Sequence, residues 1–271
     1  MATVEATPGT DIRVITEPEI YLLGRQTVEA AELDRFLADH GVSWESDSDI
    51  AAEVLSEAAG RTCYMSFAKP RPGGNSAYLH HIKEVGHGSV LEHAVWNFLF
   101  TGVSRSLTHE LVRHRSGFGY SQLSQRYVDE SVAEYVEPAV IAADGELHAL
   151  WLEAVRHAHD SYVKLADRLN AKLAESMAGA DRTSRRKAAR QAARSVLPNA
   201  TETKIFVTAN ARALRHFLES RGAAGAEPEI RVLAGKLLDV LVKESPNLFS
   251  DYVKVPLPDG TFELTTPFRK V

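Results

Sequence analysis

The sequence predicts an α+β fold in a single domain, with mixed helices around a central sheet, and three observations carry that expectation. Stretches with apolar residues three and four apart are interspersed irregularly with short β-branched and aromatic runs, without the regular strand-helix rhythm of a doubly wound sheet. No internal repeat or long linker divides the 271 residues. With 44% hydrophobic and 25% charged residues, a chain of this length can bury a substantial core, which excludes a disordered tail or a disulfide-stapled miniprotein.

Residues 1–11, small, polar and punctuated by Pro8 and Gly9, read as a loose terminus. Residues 12–15 and 20–23 are short apolar strand candidates. Residues 28–40 and 49–59 carry helical periodicity, with Ser48 placed to cap the second helix. A Pro- and Gly-rich loop at 69–74 precedes a helix over 76–85, stopped by Gly86. Residues 95–100 are apolar and aromatic and short enough for a buried strand; residues 104–115 are again helical. The longest element is expected over about 145–177, where Leu147, Trp151, Val155, Ala158, Tyr162, Leu165, Leu169 and Leu173 form one stripe facing a core or a subunit. A basic helix over 181–196, a strand over 203–208 and helices over 210–221 and 227–243 complete the reading.

The 31 Lys and Arg against 36 Asp and Glu leave a formal charge of -5, so the molecule as a whole has no pull toward nucleic acid or an anionic membrane. Any anion must meet a local basic cluster. One cysteine, Cys63, allows no intrachain disulfide and no multi-cysteine zinc site, which suits a reducing, cytoplasmic setting. Neither a secretory leader nor an uncharged apolar run of membrane-spanning length is present, so a soluble protein without a membrane partner is expected.

The chemistry concentrates in residues 87–93 and 113–126. The second stretch packs three arginines, one histidine, three serines and two glutamines into fourteen residues, with Gly117 and Gly119 permitting tight turns. Arginine forks match phosphate or carbonyl oxygens bidentately, and Ser116, Ser121 and Ser124 can donate to the same oxygens. This composition suits a phosphorylated ligand better than a solvated turn. His109 and His114 flank a Glu in near-zincin order, but five helical steps would place them about 140° apart, so no zinc pair results. His80, His81, His87 and His93 match no familiar ligand spacing and read as ordinary or cofactor-contacting histidines. Cys63 reads as an inert buried thiol, and Ser124 as a ligand donor rather than a nucleophile. Arg186, Arg190 and Arg194 share a face of the basic helix, which from spacing alone is a solvated face. Asn210 is sufficiently explained as a helix cap.

Together these residues resemble the flavin-dependent thymidylate synthases, from about Cys63 to the final helix. The family's Arg-His-Arg, spacer, and Ser followed closely by Arg is similar to Arg113, His114 and Arg115 leading to Ser124, Gln125 and Arg126. Supporting matches are Gly86, His87, Ser89, Glu92 and His93; residues 193–198; Asn210 and Arg212 with Arg221 ending that helix; and Glu229 with Arg231. The resemblance implies a mixed α/β homotetramer with active sites built from more than one chain. It implies FAD as cofactor, with NADPH and methylenetetrahydrofolate as co-substrates, for C5 methylation of dUMP. By the same resemblance His87, Ser89, Arg113, His114, Arg115, Asn210, Arg212 and His216 line the FAD site. Glu110, Arg113, Gln122, Ser124, Gln125, Arg126, Arg194 and Arg221 surround the nucleotide, which replaces the solvated-face reading of Arg194. Arg221 is the expected catalytic group, a guanidinium beside the pyrimidine that stabilises negative charge as N3 ionises. No metal is expected.

Some positions depart from the family pattern. The spacer of residues 116–123 has eight residues where seven are common, Glu110 replaces a frequent Gln, and His216 replaces a frequent Asn. Residues 222–226 are bare of functional side chains. These departures keep a C5-methylase of UMP, as in nucleoside-antibiotic biosynthesis, as the near alternative. A noncatalytic nucleotide- or RNA-binding module is the alternative from another class, disfavoured by the net charge.

Overall fold

A computed structural model describes residues 4–6, 12–69, 71–177 and 179–271. The loose terminus expected at 1–11 lies mostly outside the described residues; within it, Val4–Ala6 forms strand β1. Helices and strands mix without βαβ alternation, so the α+β expectation holds. The described residues cluster into two compact units.

The first unit takes in Met1–Glu19, Phe100–Val112 and Ser121–Ile205. Its β2 (Arg13–Ile15) pairs antiparallel with β1 and parallel with a short strand at Glu134–Val136, in a register that sets Arg13 opposite Glu134. Their side chains meet at 2.9 Å. Strand β3 (Glu19–Arg25) begins at this unit's boundary. A long helix, Gly145–Ser176, starts where Asp144 accepts from the amides of Glu146 and Leu147. Its Trp151, Leu152 and Val155 close over Ile12, Val14, Ala133 and Tyr135. The expected stripe is therefore only partly a core face: Val155 and Tyr162 are buried, whereas Leu147 and Leu165 are exposed. The basic helix, Arg182–Ala193, is capped by Asp181, whose carboxylate accepts from the Ser184 amide.

The second unit holds Ile20–Leu99, Arg113–Tyr120 and Phe206–Val271. Helices α1 (Ala30–Asp39), α2 (Ala51–Tyr64) and α3 (Gly74–Glu84) precede a 3-10 helix at Gly88–His93. Helix α2 begins after Ile50, so Ser48 is not its cap residue; its hydroxyl instead accepts from the Ile50 amide and donates to Glu53. Strand β4 (Val95–Ser104) follows, then α4 (Arg105–Leu111), β5 (Phe118–Gln122), β6 (Glu134–Val136) and, far along, β7 (Glu202–Asn210). Of these, β4, β5 and β7 join β3 in a four-stranded sheet in the order β3-β4-β7-β5, whereas α4 and β6 belong to the first unit. Although β4 reads as a continuous apolar run, its exposure alternates: Trp96 and Phe98 are buried and Asn97 and Leu99 only partly so.

Between β6 and β7, in the first unit, lie α5 (Ala139–Ala142), the long helix α6 (Gly145–Ser176) and the basic helix α7 (Arg182–Ala193), with Arg194–Val196 a 3-10 turn. After β7 come α8 (Ala211–Arg221), α9 (Pro228–Glu244), α10 (Pro246–Phe249) and the hairpin of β8 (Val253–Pro256) with β9 (Phe262–Thr265). No helix among the described residues is long and apolar enough to cross a membrane.

Candidate active site

Helix α4 starts at Ser104, whose hydroxyl accepts from the Leu107 amide, and ends at Leu111, four residues before the expected 115. Arg113, His114 and Arg115 therefore stand in a loop, where their side chains are not tied to a helical face. The Phe118 amide then donates to the Arg115 carbonyl, closing a tight turn with Gly117 at φ +72°. A methyl group at Gly117 would lie 2.7 Å from Asn210 Nδ2, so both the backbone angle and the packing require glycine. Gly119, by contrast, sits inside β5 without positive φ, so the expected turn role does not apply to it. The Arg115–Phe118 turn gives the long spacer a place before β5 begins.

In the second unit this loop meets α8. Asn210 caps α8 by accepting from the Ala213 amide, as expected, and its own amide donates to the Gly117 carbonyl at 3.1 Å. Arg113, His114, Arg115, Ser116, Phe118, His216, Ser220 and Arg221 line one pocket of about 530 Å³. Inside it, Arg221 Nε donates to His114 Nε2 at 3.0 Å. The imidazole stands edge-on to Phe217 and tilted against Phe118 and His216. Burial first, then the electrostatic influence of Arg221 and of the neighbouring His216, push its pKa down from 6.5 to about 4. The ring is therefore neutral at physiological pH and accepts through Nε2. Tyr120 donates its hydroxyl to the His114 carbonyl at 2.7 Å, and burial pushes its own pKa up.

A second pocket of the same unit, about 280 Å³, is lined by Gly60, Cys63, Tyr64, His87, Gly88, Ser89 and Arg212, among others. It unites three of the expected flavin residues: His87, Ser89 and Arg212. Arg212 already pairs with Glu92 at 2.5 Å. Cys63 is exposed rather than buried, because it falls in the last turn of α2 on the side away from the core.

Six of the eight expected nucleotide residues, Glu110, Gln122, Ser124, Gln125, Arg126 and Arg194, belong to the first unit, whereas Arg113 and Arg221 belong to the second. Gln122 donates to the hydroxyls of Thr108 and Thr203. Gln125 is buried, and neither its Nε2 nor Arg126 Nε finds an acceptor among the described residues. Two groups nearby escaped the sequence reading. Arg105 buries Nη1 without an acceptor among the described residues, and it lies within electrostatic reach of Glu130 and Arg194. A cation in the first turn of α4 opposes the helix dipole, and that local oddity was a readable signal. Glu130 is 5% exposed, with Oε1 unpartnered among the described residues, and burial pushes its pKa up from 4.5 to about 7 despite Arg105. Nothing in the local sequence marks it.

Arg190 corrects the solvated-face reading, because it donates to the Tyr127 carbonyl and to Asp129, at 2.7 and 2.6 Å. No group of three or more His, Cys, Asp or Glu suited to a metal ion occurs among the described residues.

The family model described as thymidylate synthase complementing protein matches residues 47–247. A flavin-dependent thymidylate synthase of Mycolicibacterium gilvum is 52% identical over 234 residues, covering 86% of this chain and 92% of the relative. The chain belongs to this family. A second flavin-dependent thymidylate synthase, from Mycobacterium leprae, is 49% identical over 235 residues, covering 86% and 92% of the two chains. Membership of the flavin-dependent thymidylate synthase family makes the chain an enzyme, a methyltransferase, and sets aside the noncatalytic module. Among solved structures, the UMP/dUMP methylase PolB from Streptomyces cacaoi bound with 5-Br dUMP has a TM-score of 0.59 at 20% identity, covering 88% of this chain and 95% of that one. At that identity the likeness concerns the fold.

Proposed function

We propose that this enzyme methylates C5 of dUMP reductively to give dTMP, with FAD as cofactor, methylenetetrahydrofolate as carbon donor and NADPH as reductant. The observation that carries the reading is the Arg221 guanidinium held by His114 in the wall of a pocket that Arg113, Arg115 and His216 also line. The residues fit a flavin: His114, Phe118 and His216 offer aromatic faces to a flat ring, and the exposed Arg113 and Arg115 offer cations to a pyrophosphate. His87, Ser89, Asn210 and Arg212 complete that set. Reduced flavin, when bound, supplies hydride.

This chain's own residues would do the rest. Arg126, Gln125 and Arg105 bury donors that find no acceptor among the described residues, and leaving such donors unpaired costs about 1–3 kcal/mol each. Phosphate oxygens of the nucleotide would satisfy them, with Ser124 and Arg194 completing the grip and Glu110 and Gln122 orienting the sugar and base. Arg221 stabilises the anion left when uracil N3 releases its proton to water, which raises electron density at C5 for carbon transfer. No protein nucleophile is required. The reading carries with it a cytoplasmic homotetramer in which more than one chain builds each active site.

The test is to incubate the purified protein with FAD, NADPH, methylenetetrahydrofolate and equal amounts of dUMP and UMP, and to weigh the nucleotide products by mass spectrometry. Methyl addition mainly to dUMP supports the proposal. Substantial addition to UMP replaces the substrate, and addition to neither overturns it.

A further inference from the structure

We infer that His114 is a positioning residue for Arg221: its ring accepts the Arg221 Nε proton and thereby sets the plane in which the guanidinium meets the pyrimidine. The inference rests on the reading of Arg221 as the group beside uracil N3. It follows from what a histidine adds at this place. Aromatic packing against Phe118 and Phe217 would be served as well by phenylalanine. The acceptor for a guanidinium at 3.0 Å would not.

The ring is itself fixed from three sides. Tyr120 holds the His114 carbonyl, the Arg115–Phe118 turn closes the loop, and the Gly117 carbonyl is tied to the Asn210 amide at the start of the helix that ends in Arg221. Loop and guanidinium are thus parts of one frame. The charged and titratable groups around the ring are Arg113 and Arg115 on its own loop, Tyr120 on β5, and His216 and Arg221 on α8. All the charges among them that are fixed at neutral pH are positive, so protonating His114 would both remove the acceptor and add repulsion. An arginine bonded through Nε cannot rotate about its Cδ–Nε bond without breaking that bond. A misplacement of about 1 Å at such a group costs on the order of 10²-fold in rate.

The experiment uses 5-bromo-dUMP, whose halogen acidifies N3, bound to the flavin-loaded enzyme and titrated by ultraviolet difference absorbance. In the wild type the bound N3 ionises at lower pH than in the free nucleotide, and Arg221→Ala abolishes that shift. His114→Phe is expected to abolish it to the same extent, and His114→Gln to retain it through the amide oxygen. Turnover of dUMP by His114→Phe should fall about 10²-fold in kcat with little change in KM. A retained shift in His114→Phe overturns the inference, and so does loss of the shift in His114→Gln. The Arg221 reading fails separately, if the wild type shows no N3 shift at all.

Discussion

At the scale of single residues, the site depends on groups whose protonation the fold has moved in opposite directions. His114 is held neutral by burial and by the electrostatic influence of Arg221 and His216, so as pH falls the unfolded chain takes up this proton first. Its contribution to stability is complete above about 6.5 and declines as pH falls from there toward about 4. His114→Gln is expected to flatten that part of the pH profile, measured as Tm between pH 7 and 5. Glu130 does the reverse. Its folded pKa is raised from 4.5 to about 7, chiefly by burial, so the fold keeps a proton that the unfolded chain releases as pH rises through this range, and stability falls. Glu130→Gln should therefore leave Tm nearly unchanged at pH 5 and stabilise by on the order of 2 kcal/mol at pH 8. For catalysis, Arg221→Ala is expected to abolish methylation while flavin absorbance stays with the protein. Near-normal turnover in that variant would remove Arg221 from the mechanism.

At the scale of elements, local chemistry decides where helices begin. Asp144 caps a helix of 32 residues, and its replacement by alanine should cost about 1 kcal/mol, read as a shift in the urea midpoint without a change in slope. Asp181, Ser104 and Asn210 cap their helices in the same way, each accepting from an amide three residues on. Helical periodicity made the long helices readable to within a few residues, whereas the caps at Asp144, Asp181 and Ser104 emerge from the structure. Strand β5 escaped because Gly117 and Gly119 made residues 116–122 look like a loop, although Phe118 and Tyr120 alternate as a strand requires and stack at 5.6 Å. The β8–β9 hairpin escaped because all four residues of β8 are exposed, leaving no buried face to pattern. The basic helix was read as solvated, yet Arg190 docks on residues 127–129, a contact that helical spacing cannot reveal.

At the scale of the molecule, the second unit is tied together by a buried ion cluster. Arg215, fully buried, holds Asp251 through two hydrogen bonds at 2.9 and 2.8 Å, and Lys83 and Thr266 reach the same carboxylate. Arg215 and Lys83 keep the Asp251 carboxyl low, at a pKa of about 2, against the opposing pull of burial. The cluster joins α3, α8 and the chain after β9, so removing one partner leaves charges buried and unpaired. Asp251→Ala is expected to destabilise by about 3–5 kcal/mol in equilibrium denaturation. A loss below 1 kcal/mol would show that these charges are solvated after all.

The sequence by itself determined the mixed helix and strand content, the starts of the long helices and the ordered motifs that place the chain in its family. Those features are encoded over a few neighbouring residues or in residue identity. Only the tertiary structure decided that His114 is neutral and bonded to Arg221, 107 positions away, that Glu130 and the Nη1 of Arg105 are buried, and that Cys63 is exposed. Desolvation and the partner of a polar atom depend on which distant segments come to cover it, and a local pattern carries no record of that.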